Sequence, residues 1–118
     1  MDQNSVDQRI KANAYRVFFS ELEKHMQDVC ATMAPGKRPD SKELRRVGAT
    51  FHTIRGGAGF FGLEELATTA GQIENLLLQD TKRACADLES VRVLIEQIST
   101  ITENLPKPDE DRLPRSGS

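Results

Sequence analysis

Residues 44–77 read LRRVGATFHTIRGGAGFFGLEELATTAGQIENLL, and the spacing of their apolar side chains decides the fold. Leu44, Val47, Phe51, Ile54, Ala58 and Phe61 recur every three or four residues, the period of one face of an α-helix. At Gly62 a second set begins at the same spacing, with Leu63, Leu66, Ala70, Ile73 and Leu77, so the stretch predicts a helical hairpin. Upstream, Val6, Ile10, Ala14, Val17, Phe18, Leu22, Met26, Val29 and Met33 form a longer helical stripe that Pro35-Gly36 stops. Asp40 and Ser41 then offer a side-chain acceptor to the free N–H groups of the next helix. Downstream, Leu88, Val91, Leu94, Ile95, Ile98, Ile101 and Leu105 make a last stripe, ended by Pro106 and Pro108.

No segment sustains the period-two alternation of a strand. Each stripe needs partners to cover it, and short connections favour antiparallel neighbours, so the expected fold is all-α, an antiparallel up-down four-helix bundle over residues 5–105. Residues 106–118 combine prolines and alternating charges with Leu113 as the one core-forming residue, which predicts a disordered tail or linker. Arg115-Ser116-Gly117-Ser118 has the look of a cloning remnant, in which case the domain is a module of a larger protein.

With 16 Lys and Arg against 18 Asp and Glu, the 118-residue chain has a net charge of −2 and lacks the basic footprint of a nucleic-acid or anionic-membrane binder. No apolar run approaches the roughly 18 residues of a membrane helix, and the polar start is unlike a leader peptide, so a cytoplasmic protein is expected. Cys30 and Cys85 are far apart, outside any CxxC, and are expected as small buried hydrophobes. His25 has no second ligand at metal-binding spacing, and no metal site is expected.

Six of the eight glycines fall between Gly48 and Gly71, where the periodicity says helix. An interior glycine costs a helix roughly 0.8–1 kcal/mol relative to alanine, so this clustering calls for a compensating purpose. On a wheel of about 100° per residue with His52 at zero, Gly48 falls near −40°, Gly56 near +40° and Gly59 near −20°. Arg45 falls near +20° and Arg55 near −60°, while the apolar arc runs from about −80° round to 180°. The wheel predicts an exposed histidine flanked by positions without side chains, with two arginines beside it. A neutral imidazole is a competent nucleophile, and a guanidinium can hold phosphoryl oxygens. The chemistry suggested is phosphoryl transfer to His52. Tight helix–helix packing is the other purpose such glycines serve, and on the wheel only Gly57 lies near the core arc.

His52-Thr53-Ile54-Arg55-Gly56-Gly57-Ala58-Gly59-Phe60-Phe61-Gly62-Leu63 resembles the signature of histidine-containing phosphotransfer (HPt) domains, His-x-Leu/Ile-Lys-Gly-Ser/Ala-x-x-x-x-Gly. The likeness extends through Glu65-Leu66-Ala67 to Ile73-Glu74, and the helix order from Ser5 to Leu105 is the family's. The resemblance implies that His52 is the phosphoacceptor, exchanging a phosphoryl group with an aspartate of a response-regulator receiver domain or taking it from a histidine kinase. It further implies a docking face of Arg45, Gly48, Gly56, Gly59 and Phe60, with Arg55 in the place of the usual lysine. Glu74 matches the glutamate that, in chemotaxis-kinase HPt domains, accepts a hydrogen bond from the histidine's Nδ1. Gln72 is a further polar neighbour for the phosphoryl group, and Gly71 stands where those domains often carry a second histidine. The domain is then a phosphoryl carrier with no ATP site or cofactor of its own, magnesium belonging to the receiver.

Three weaker signals are set aside. Gly57-x-Gly59-x-x-Gly62 has the dinucleotide-binding spacing without a preceding strand. Arg55-Gly56-Gly57 is a single RGG in an acidic chain. Arg38, Lys42, Arg45 and Arg46 form a basic patch that is either a solvated face or a complement to an acidic partner. Two alternatives accompany the phosphorelay reading: a phosphorylation-independent helical interaction or dimerisation domain, and the N-terminal phosphoacceptor domain of a chemotaxis-type histidine kinase.

Overall fold

The structure, a computed structural model, describes residues 3–108, with side chains from residue 8 onward. Five helices follow in order: α1 (Gln3–Thr32), α2 (Ser41–Phe60), α3 (Glu64–Gln79), α4 (Thr81–Ala86) and α5 (Leu88–Glu103). The four long helices are the expected ones, and there is no strand among the described residues. α4 is a difference. It has six residues and buries only Thr81 and Ala84, too short a pattern for helical periodicity to register.

Local chemistry sets the helix ends. Asp40 caps α2 through a reciprocal box: Glu43 N–H donates to Asp40 Oδ1 at 2.9 Å and Asp40 N–H donates to Glu43 Oε1 at 3.2 Å. At the other end Gly62 has φ +71°, and Leu63 N–H reaches back to the Ala58 carbonyl while Gly62 N–H reaches Gly59. This left-handed closure turns the chain sharply into α3. Asp87 caps α5 by accepting from the Ser90 N–H and hydroxyl.

The α2–α3 hairpin is the centre of the molecule. Phe51, Ile54, Leu66, Ile73 and Leu77 are inaccessible to solvent, joined by Val29 of α1 and by Val91 and Ile98 of α5. Each such side chain contributes about 1.5–3 kcal/mol on burial. Polar ties hold α1 in place: Arg46 donates to Asp28 at 2.7 Å and to Thr32 at 2.9 Å. Arg92 of α5 donates to the carbonyls of Met33 at 2.9 Å and Lys37 at 2.6 Å, past the end of α1.

Three expectations need correction. α1 is 30 residues long and outruns the rest, so Ile10 and Val17 are exposed and Phe19 takes the buried position. Cys30 and Cys85 are also exposed, each one residue away from a buried neighbour on its helix, Val29 and Ala84. Residues 106–108, expected to be free, fold back on α1. The Tyr15 hydroxyl donates to the Pro106 carbonyl, and the Lys107 ammonium lies 5.5 Å from the centre of the Phe19 ring. Leu113 and Arg115-Ser116-Gly117-Ser118 lie outside the described residues.

Candidate functional site

His52 stands on the middle of α2 with 63% of its side chain exposed. Its Nδ1 lies 2.7 Å from Oε2 of Glu74, a carboxylate on α3 that is only 16% exposed. The other oxygen of the same carboxylate, Oε1, lies 2.9 Å from Nε of Arg55, an ion pair. Glu74 therefore holds two residues one helical turn apart on α2. Nη2 of Arg55 also approaches Nδ1, at 3.5 Å. A guanidinium only donates, and a ring nitrogen that gives its proton to a carboxylate has no lone pair to receive another. The 2.7 Å contact therefore assigns the neutral ring an Nδ1–H, leaving the lone pair on Nε2.

The glycines divide by function. At Gly56 and Gly59 a Cβ would meet nothing within 4 Å, so the surface one and two turns beyond His52 is open. Gly48 differs from the wheel expectation. A Cβ there would stand 2.8 Å from Cγ and Cδ2 of Leu78, so its missing side chain lets α2 approach α3 rather than a partner. Gly57 does the same toward α1, where a Cβ would lie 2.6 Å from the Phe18 ring. Close helix packing thus accounts for two of the glycines. A wheel drawn for a single helix cannot place a neighbour against Gly48.

The remaining predicted positions are dispersed. Arg45 is two turns from His52 and its Nε–H reaches Thr81 Oγ1 at 3.5 Å, toward α4. Phe60, two turns the other way, is 68% exposed and stacks edge-on against Phe61 at 4.9 Å. Gln72 does not join the site. It lies about 160° round α3 from Glu74 and lines a groove with Asn75, Leu76, Gln79, Asp80 and Arg83. The basic patch is partly spent, since Arg46 pairs with Asp28. The contact missed from the sequence is Arg55 with Glu74. Its signal was the lean of Arg55 toward the core arc, on the side where a boundary carboxylate of the next helix would stand. Among the described residues no group of acidic, histidine or cysteine side chains could hold a metal ion, and no helix is long and apolar enough to cross a membrane.

The family model for the Hpt domain matches residues 13–105. A curated relative, the chemotaxis protein CheA of Salmonella typhimurium, is 35% identical over 66 residues, covering 53% of this chain and 10% of that protein. The chain thus spans about a tenth of the length of the relative it matches. No solved structure matches it significantly.

Proposed function

The chain belongs to the Hpt domain family, the histidine phosphotransfer modules of two-component signalling, and on that premise we propose that His52 exchanges a phosphoryl group with the aspartate of a response-regulator receiver domain. The observation that supports this most is the 2.7 Å contact of Nδ1 with Glu74, which leaves an unprotonated Nε2 on a largely exposed ring.

In the transfer, the Nε2 lone pair attacks the phosphorus of an aspartyl phosphate in line. The N–P bond forms as the P–O bond to the aspartate breaks, and the carboxylate leaves with the bonding pair. Attack makes the ring cationic, and Glu74, already bonded to Nδ1–H, stabilises that charge. Arg55 supplies four further N–H donors on its amino nitrogens for the phosphoryl oxygens. Open Gly56 and Gly59 and exposed Phe60 admit the partner. Positioning and charge carry the reaction, so the domain acts as a phosphoryl carrier, with magnesium held by the receiver.

The test is intact mass after incubation with phosphoramidate or a phosphorylated receiver, for the natural sequence and for His52→Gln. One acid-labile, alkali-stable phosphoryl group on the former alone is expected. No labelling from either donor would leave a phosphorylation-independent helical adaptor, and equal labelling of His52→Gln would move the chemistry to another residue. The likeness to CheA favours a second reading, a phosphoacceptor module of a chemotaxis-type kinase. Faster labelling by such a kinase's ATP-binding domain with ATP than by a phosphorylated receiver would select it.

A further inference from the structure

α1 has 30 residues where α2 has 20 and α3 and α5 have 16, so at 1.5 Å per residue it is at least about 15 Å longer than any of them. A helix end that outruns its neighbours has little to hold it. Four large hydrophobic side chains are exposed among the described residues. Phe60 and Val93 stand singly on α2 and α5, whereas Ile10 and Val17, 61% and 64% exposed, share α1. These two are seven residues apart, so only about 20° separates them round the helix, while Leu22 and Met26 of the buried stripe lie about 120–180° away. α1 therefore has two apolar sides, one for the bundle and one facing out.

In heptad terms Ile10 and Val17 take successive a positions with Asn13 at the d position between them, and in the sequence Val6 stands at the preceding d. β-branched side chains at a favour a parallel pair of helices, and a polar residue in the seam fixes the register. The flanking charges agree. Arg16 is at g and Glu21 at e, so a parallel, in-register pair brings Arg16 to Glu21 of the partner subunit. Glu21 is 55% exposed, and its contact with Lys24 at 3.8 Å is a loose surface pair that leaves it open to a second cation. Arg16 donates to Asn13 Oδ1 at 3.0 Å, which lays its guanidinium beside the seam. An antiparallel pair would instead set Arg9 against Arg16 of the partner subunit, a like-charge contact. Ser20 and Lys24 take the next d and a positions, and the apolar seam ends there.

We propose that a second copy of this chain covers the outer face of α1, the two first helices pairing parallel and in register through Ile10, Asn13 and Val17. Two heptads of one helix offer less than the roughly 800 Å² per partner of a standard interface, so the dimer is reversible and depends on concentration. The seam is confined to α1, whereas His52 and Glu74 lie on α2 and α3. The dimer therefore stands apart from the phosphotransfer reading.

The experiment is sedimentation equilibrium of the full chain from about 10 μM to about 1 mM. The mean mass should rise with concentration from 13.1 kDa toward twice that value. Ile10→Lys and Val17→Lys should each raise the dissociation constant at least about tenfold. Helix content and the urea midpoint of the dilute chain should stay unchanged, because neither side chain is in the core. Arg16→Glu and Glu21→Arg should each raise the constant about fivefold, since the two-fold repeats the pair, and the exchanged double variant should return to within about twofold of the natural chain. A mass of 13.1 kDa throughout would overturn the dimer and leave this face to a helix of another protein. A dimer indifferent to both lysine variants would put the contact elsewhere and overturn the seam. Loss of the dimer in the lysine variants, with no recovery in the exchanged double variant, would overturn the parallel arrangement.

Discussion

Glu74 and His52 sit on different helices and in different surroundings, yet share a 2.7 Å contact: the carboxylate is 16% exposed and the imidazole 63%. The acid is anchored in the wall of the bundle and the ring stands out from it. Such a pair does little for stability but orients the ring strongly. Glu74→Ala is expected to slow labelling of His52 by phosphoramidate about tenfold, the loss of one charged hydrogen bond. Glu74→Gln should fall between, because an amide offers one acceptor and one donor where the two partners both donate. Labelling rates read by mass decide this. Unchanged rates for Glu74→Ala would remove Glu74 from the mechanism.

Neighbouring glycines should respond differently to alanine. At Gly56 nothing stands within 4 Å of a new Cβ, so Gly56→Ala should stabilise the fold by about 0.8 kcal/mol through helix propensity. At Gly57 the Phe18 ring is 2.6 Å away, and overpacking of that kind costs about 1–3 kcal/mol. Gly57→Ala should therefore be neutral or destabilising despite the same gain in propensity. Urea unfolding midpoints of the two variants provide the comparison, and the reverse order would contradict the packing described for α1 on α2.

The sequence pattern carried the four long helices, the Asp40 cap and the Gly62 turn, because apolar period and cap chemistry are local properties. The places of His52 and Arg55 on the open side of α2, and of Glu74 at the edge of the α3 stripe, were legible for a similar reason, whereas the pairing of Glu74 with His52 was expected from the family resemblance and not from the pattern. What was not legible depends on the distance between helices. Gly48 looked open on its own wheel and is filled by Leu78 of α3. Gln72 looked close to Glu74 in the chain and is on another flank of the helix. The exposure of Ile10 and Val17 follows from α1 being longer than the helices that could cover it, a comparison no single stripe contains.

The open surface at Gly56 and Gly59 separates a small donor from a protein donor. A glutamine at either position adds a side chain where a partner would lie but does not touch the imidazole's contacts with Glu74. Gly56→Gln and Gly59→Gln should keep phosphoramidate labelling of His52 within about twofold of the natural chain, while slowing transfer from a phosphorylated receiver about tenfold or more by steric exclusion. Equal loss with both donors would mean that the substitutions disturb the site itself, and no loss with either would take these glycines out of the docking face.

Tyr15 gives a readout of the end of the bundle where α1 meets the α2–α3 turn. Its ring packs edge-on against Phe61 at 5.3 Å and its hydroxyl donates to the Pro106 carbonyl. Burial there disfavours the charged phenolate and raises the pKa above the ordinary 10.0. For a group whose pKa is raised on folding, the stabilisation is fully present below the unfolded pKa and is lost as pH rises through the folded one. Stability should therefore begin to decline in the alkaline range above about pH 10, a decline that Tyr15→Phe should lessen. Tyr15 is the sole tyrosine of the chain, so ultraviolet absorbance follows its ionisation directly. The folded midpoint should lie above that of the same chain in urea. A folded midpoint at or below the unfolded one would show that the phenol is not buried against Phe61 and that residues 106–108 do not close over this end of α1.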